Sequence, residues 1–261
     1  MSSASPLIGL ASVGRNFRTR SGEDVRALDN ITLAVEPREF VSIVGPSGCG
    51  KSTLLRIVAG LIAPSEGAVR MAGARVEGPR RDIGMVFQNP VLLPWRTNLK
   101  NVLVPAEVIG LEPGRSATRA RELLDLVGLA RFADKYPNEL SGGMRQRVSI
   151  ARALMHDPST LLMDEPFGAL DALTREFMGL ELLRIWNASR KTVILVTHSI
   201  EEAIFLADRV IVMSSRPGTV SEIVDVKLKR PRTTETRADA EFVRLTHHLR
   251  GVFEKLAPEI H

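Results

Sequence analysis

The sequence has one cysteine, Cys49, and one tyrosine, and its aromatic residues make up 5% of 261 positions. A single thiol excludes an intrachain disulfide, which fits a reducing compartment and leaves stability to a packed core. Aromatics this sparse, and not interleaved with Lys or Arg, argue against a stacking platform for single-stranded nucleic acid. No apolar run is long enough to cross a bilayer. The densest, residues 54–63, is too short and carries Arg56. Residues 1–7 are rich in Ser, Ala and Pro and lack the basic and apolar parts of a secretory signal. If the chain works at a membrane, another subunit must do the spanning. Charge is not strongly one-sided either. The net value is +5, with 35 basic and 30 acidic residues interleaved along most of the chain, as on a solvated surface.

What is present suffices for one large domain or two small ones. Apolar, β-branched runs at 40–44, 160–163, 192–196 and 209–213 read as buried parallel strands, with helical stretches between them. Residues 7–36 and 67–77 alternate around Gly turns, as antiparallel strands do. From 98 to 156 the pattern is helical, clearest over 119–127 and 142–155. In the latter Met144, Val148, Ala151 and Met155 share a face, and Asp157-Pro158 stops the helix. The fold class is therefore α/β with a helical insert. The stretch after Arg216 is polar and weakly patterned. No internal repeat is found.

Gly45-Pro46-Ser47-Gly48-Cys49-Gly50-Lys51-Ser52-Thr53 follows an apolar strand and opens a helix. This is the GxxxxGK[ST] phosphate loop in its expected context. Glycines let successive N–H groups turn onto phosphates, and the helix N-terminus adds its dipole. Lys51 would reach the β- and γ-phosphates, and the Ser52 hydroxyl would ligate Mg²⁺. Cys49 reads as a small filler of the loop. Chance produces such a pattern in roughly one chain in a hundred of this length.

The strand at 160–163 ends in Asp164-Glu165-Pro166, and that at 192–196 ends in Thr197-His198. Ligands of open parallel sheets bind beyond such ends. If the strands are neighbours, Asp164 stands near Mg²⁺, Glu165 orients or deprotonates the attacking water, and Lys51 and His198 join them. Taken alone, the first of these strand ends is equally a polar turn, and a lone histidine is usually structural; it is the position at a strand end that favours a functional His198.

Leu140-Ser141-Gly142-Gly143-Met144-Arg145-Gln146 leads into the helix at 142–155, with Ser141 placed as its N-cap. That is a second anion site, about ninety residues from the first, and two chains sharing a nucleotide would use both. With these motifs in order from about Leu7 to Val220, the chain resembles the ATP-binding cassette (ABC) ATPases. The resemblance implies a P-loop NTPase fold: a RecA-like, mostly parallel core, an antiparallel β subdomain and a helical subdomain. It places one ABC domain at 7–225, with core 7–88 and 158–225, helical subdomain 89–157, and a C-terminal tail at 226–261. Phe17 looks like the aromatic stacking on adenine, where the family often has Tyr. Gln88 looks like the Q-loop residue touching Mg²⁺ or water, although a Gln there can simply solvate a loop. Glu165, His198 and Lys51 look catalytic, Ser52, Gln88 and Asp164 look like the Mg²⁺ side, and Gly168-Ala-Leu-Asp171 is similar to the D-loop facing a partner. Met144 departs from the usual Gln, which touches one side-chain contact but not Ser141, Gly142 or Gly143.

The loop after Gln88 carries Leu92, Leu93 and Trp95 between two prolines. They suit either a protein-binding surface or packing under the helical insert. The family receives its permease here. The 92–97 and 215–218 stretches look most like importer ATPases for nitrate, sulfonate or taurine. The resemblance thus implies ATP and Mg²⁺, a second ABC ATPase subunit as in a homodimer, transmembrane permease subunits with a periplasmic substrate-binding protein, no nucleic acid, and a peripheral place on the cytoplasmic face of the inner membrane. The alternatives are a non-transport ABC ATPase of the repair or translation type and a nucleotide-gated clamp without turnover.

Overall fold

The computed structural model describes residues 6–18, 22–168 and 170–256. Residues 1–5 of the N-terminal stretch, Ala169 of the 168–171 segment and 257–261 of the tail lie outside them. The chain divides into two compact units, Met1–Arg80 with Thr192–His261, and Arg81–Lys191.

The first unit begins with β1 (Ile8–Arg18), β2 (Asp24–Val35), β3 (Phe40–Val44), α1 (Lys51–Val58), β4 (Glu66–Met71) and β5 (Ala74–Arg75). As the alternation foretold, β1 pairs antiparallel with β2 and β4, and Ile8 lies opposite both Val35 and Met71. One face of these strands, including Ile8, Leu10, Ile31 and Leu33, is buried. Strand β3 differs. All five of its residues are buried, as a strand covered on both faces must be.

The second unit holds β6 (Ile83–Val86), α2 (Asn98–Ile109), α3 (Pro113–Leu126), α4 (Gly142–Leu154), β7 (Thr160–Asp164) and α5 (Ala172–Ser189). Strands β6 and β7 are parallel, with Val86 opposite Met163. The sequence pattern did not separate β6, which is four residues long and contains Gly84. A Cβ there would lie 2.4 Å from the Ala153 carbonyl, so the glycine lets α4 approach the strand closely.

The chain returns to the first unit with β8 (Thr192–Val196), α6 (Ile200–Leu206), β9 (Arg209–Met213), β10 (Val220–Asp225) and α7 (Ala240–Leu256). Both β8 and β9 run parallel to β3, and β10 pairs antiparallel with β9. The expectation of a weakly patterned tail is corrected here. Besides β10, that stretch contains α7, whose Phe242, Leu245, Thr246 and Leu249 form a buried stripe at helical spacing. Tail arginines also cap α6. Arg232 donates to the carbonyls of Ile204, Phe205 and Ala207, and Arg230 donates to that of Leu206. These are the last-turn carbonyls a helix leaves without internal donors. Burial, helped by the neighbouring Arg230, lowers the Arg232 pKa to about 10. Among the described residues no helix is long and apolar enough to cross a membrane.

Candidate nucleotide site

In the first unit the predicted phosphate loop, 45–53, leaves the end of β3 and becomes α1. Gly48 and Gly50 sit at φ +75° and +101°, a region L side chains rarely adopt. A Cβ on Gly50 would lie 2.6 Å from Leu28 Cδ2, so strain and space both require glycine. Helix α1 starts behind Gly50 with no side-chain cap. Lys51 is buried, and its Nζ donates to the carbonyls of Gly45 (2.7 Å) and Pro46 (2.9 Å), which keeps the ammonium inside the loop. Burial raises the Cys49 thiol above its ordinary range against the opposing charge of Lys51. The thiol is thus a neutral filler.

His198 belongs to the same unit. Ile43 lies opposite Val196, and the Thr197 N–H donates to the Ile43 carbonyl at 3.1 Å. His198 therefore leaves β8 beside the point where Gly45 leaves β3. The buried Thr197 hydroxyl donates to Glu202, and the Ser199 hydroxyl caps α6 through the Glu202 N–H. These two bonds fix the backbone on both sides of the exposed imidazole. Phe17 is 37% exposed. Two residues before it, Arg15 lies opposite Leu28, the residue that packs on Gly50. The Arg15 guanidinium sits 4.6 Å over the Phe17 ring, covering one face, and donates to the Ala63 carbonyl. Sequence reasoning missed this support, since nothing in β1 marks an arginine two positions away as a ring partner.

The second unit brings together the other candidates. Because Val86 opposes Met163, Gln88 leaves β6 beside Asp164 and Glu165 at the end of β7. Gln88 Nε2 donates to Glu165 Oε2 at 3.4 Å. Glu165 has φ +44°, an unusual backbone for this residue type, at the point where the chain leaves β7. Asp171 caps α5, accepting from the Thr174 N–H (3.0 Å) and hydroxyl (2.6 Å), bonds that hold its carboxyl below the usual range.

Ser141 caps α4, and its Oγ accepts from the Met144 N–H at 3.3 Å. The glycines behind it are packed against the segment around Asp171. A Cβ on Gly143 would stand 3.3 Å from Thr174 Cγ2, and one on Gly142 3.6 Å from Leu170 Cδ2. Helix α4 also straps the loop that follows Gln88. The buried Gln146 donates to the Phe87 carbonyl, and Arg152 donates to those of Pro90 and Val91 at 2.8 Å each. Gln146 and Arg152 were not singled out in the sequence, because their partners are backbone groups about sixty residues away. Of the three apolar residues of this loop Trp95 is 72% exposed, whereas Leu92 and Leu93 are half-buried, so the loop both packs and displays. Asn101, wholly buried, pins the loop by donating to the carbonyls of Leu93, Arg96 and Thr97.

The first unit thus holds a phosphate cradle and an exposed histidine, and the second a carboxylate corner and a serine-led helix. The left-handed glycines and enclosed lysine fit a polyphosphate. Among the described residues no group of three His, Cys, Asp or Glu side chains could hold a metal alone. Mg²⁺ needs no such group, since it takes one or two protein ligands and fills its shell with phosphate oxygens and water; each unit by itself offers an oxygen ligand of that kind, the Ser52 hydroxyl in the first and the Asp164 carboxylate in the second.

A family model described as ABC transporter matches residues 28–168. An uncharacterised ABC transporter ATP-binding protein of Methanocaldococcus jannaschii is 52% identical over 85% of this chain and 82% of its own length. A taurine import ATP-binding protein of Rhizobium johnstonii is 48% identical over 90% of this chain and 92% of its own. Among solved structures, a dimeric ATP-binding cassette in a post-hydrolysis state with ADP and phosphate superimposes with a TM-score of 0.74. It is 36% identical, and the match covers 84% of this chain and 99% of that one. The α/β P-loop fold read from the sequence is that of these cassettes.

Proposed function

The chain is an ATPase of the ABC transporter family, and from that premise we propose that it powers an importer for a small solute of the taurine, sulfonate or nitrate type. Two copies close over two Mg·ATP, each nucleotide held by residues 45–53 of one copy and residues 141–143 of the other. The opening and closing drive separate permease subunits supplied by a periplasmic binding protein, with this chain peripheral on the cytoplasmic face of the inner membrane. The 48% identity to a taurine import subunit supports the importer class.

The observation that carries the reading is the bond between Gln88 and Glu165. The loop displaying Val91 and Trp95 begins at the residue that touches the proposed catalytic base, so movement of a permease gripping that loop reaches the carboxylate directly. Residues 89–157 act as the helical subdomain that carries α4. Phe17 stacks on adenine, the N–H groups of residues 45–53 bind the phosphates, and Lys51 neutralises the β- and γ-phosphates. Ser52, Gln88 and Asp164 would hold Mg²⁺, which supplies charge neutralisation on the β- and γ-oxygens. Glu165 accepts a proton from the attacking water, and His198 donates to the γ-phosphate. Asp171, already ordered on α5, faces the second copy.

The expected result for Glu165→Gln is retained Mg·ATP binding with turnover down by roughly 10²–10⁴, read by phosphate release. Wild-type turnover in that variant removes the base assignment. A wild-type protein that binds ATP but releases no phosphate is a clamp instead.

A further inference from the structure

The link between β9 and β10, residues 214–219, lies against the phosphate loop. Ser214 closes it. Its N–H donates to the Thr219 carbonyl, and its hydroxyl accepts from the Thr219 N–H, both at 3.0 Å. The Gly218 N–H donates to the Ala27 carbonyl, and the Gly218 carbonyl accepts from the Asp29 N–H at 2.9 Å, which fastens the turn to β2.

Three contacts then reach the loop. A Cβ on Gly45 would stand 2.8 Å from the Met213 carbonyl, and one on Gly218 only 2.0 Å from the Cys49 carbonyl. Between them, Arg216 Nη2 donates to the Gly48 carbonyl at 3.2 Å. The motif of residues 45–53 says nothing of this wall, which comes from residues about 170 positions later.

We propose that the 214–219 turn is the outer wall of the phosphate cradle and that Arg216 is a positioning residue for the triphosphate. This rests on the ATPase reading of residues 45–53. Glycines at positive φ leave the loop many conformations, so something outside it must choose one. A trans peptide is planar, with its C=O and N–H pointing opposite ways. Holding the Gly48 carbonyl toward Arg216 therefore fixes the peptide whose N–H, that of Cys49, points away from Arg216 and donates across the loop to the Pro46 carbonyl at 3.4 Å. A cation on the carbonyl also polarises that N–H, and the guanidinium adds positive charge beside an anion site.

The test compares wild type, Arg216→Ala and Arg216→Lys as full-length proteins. Mg·ATP binding is read by calorimetry, KM and kcat by phosphate release, and the thermal midpoint without nucleotide. Arg216→Ala is expected to weaken Mg·ATP binding and raise KM about fivefold, the net size of one ordinary hydrogen bond. The loss falls on KM rather than kcat, and the nucleotide-free midpoint stays at its wild-type value. Arg216→Lys recovers most of the affinity. A wild-type KM in the alanine variant overturns the proposal, as does a lysine variant as weak as alanine. A loss of affinity matched by a lower nucleotide-free midpoint makes the turn a structural brace and also overturns it. Failure of the wild type itself to bind Mg·ATP would strike the ATPase reading instead.

Discussion

Helices α1 and α4 both start beside glycines in the region of the expected anion sites, but their first turns are built differently. Helix α1 follows Gly50, a left-handed residue with no side-chain cap, and its entry is shaped by backbone strain and close packing on Leu28. Helix α4 follows Ser141, whose own hydroxyl takes up the Met144 N–H. The first is a cradle of strained backbone, held from outside by Leu28 and by the turn at 214–219. The second is a helix end finished by its own serine cap, and on the proposed reading that serine serves a phosphate brought by another copy. On that reading one belongs to affinity and the other to assembly.

The largest effect that sharpens this contrast is expected from Ser141→Arg in a Glu165→Gln background, where ATP is consumed only slowly. A charged, bulky side chain at the start of α4 should leave no detectable ATP-dependent dimer in light scattering, with Mg·ATP affinity of the single chain unchanged. If dimers persist, the division of labour between the two helix ends fails. Next comes Gly50→Ala. Left-handed backbone costs a residue with a Cβ about 1–2 kcal/mol, and here the new atom also meets Leu28, so the thermal midpoint drops and Mg·ATP affinity falls more than about tenfold. Gly142→Ala is its control, since that Cβ makes only ordinary contact with Leu170. Equal damage from the two alanines would erase the distinction. The smallest effect is Ser141→Ala, which should cost about 1 kcal/mol of stability in a denaturant titration through loss of the cap.

Legibility followed the range of the interactions. The runs 40–44, 192–196 and 209–213 were readable as strands because burial on both faces demands unbroken apolar sequence, and they are β3, β8 and β9. The phosphate loop was readable because glycine, lysine and serine at fixed spacing answer a local stereochemical need. Strand β6 was not, since four residues that include a glycine carry no periodicity of their own. Helix α7 was hidden by a polar majority, although four buried residues on one face suffice to dock it. The contacts of Gln146, Arg152, Arg216 and Arg232 were invisible for a common reason. Each donates to backbone carbonyls far away in sequence, and a carbonyl is the same whatever residue bears it.

By itself, then, the order of residues determined the α/β class, the ATP chemistry and the family, because each depends on side-chain types at short, fixed spacings. Only the tertiary structure decided what holds those motifs in place: the arginine cap on α6, the straps from α4 to the loop after Gln88, and the wall of residues 214–219 behind the phosphate loop. Such supports form when a long side chain meets a distant peptide group, and that meeting exists only after the chain has folded.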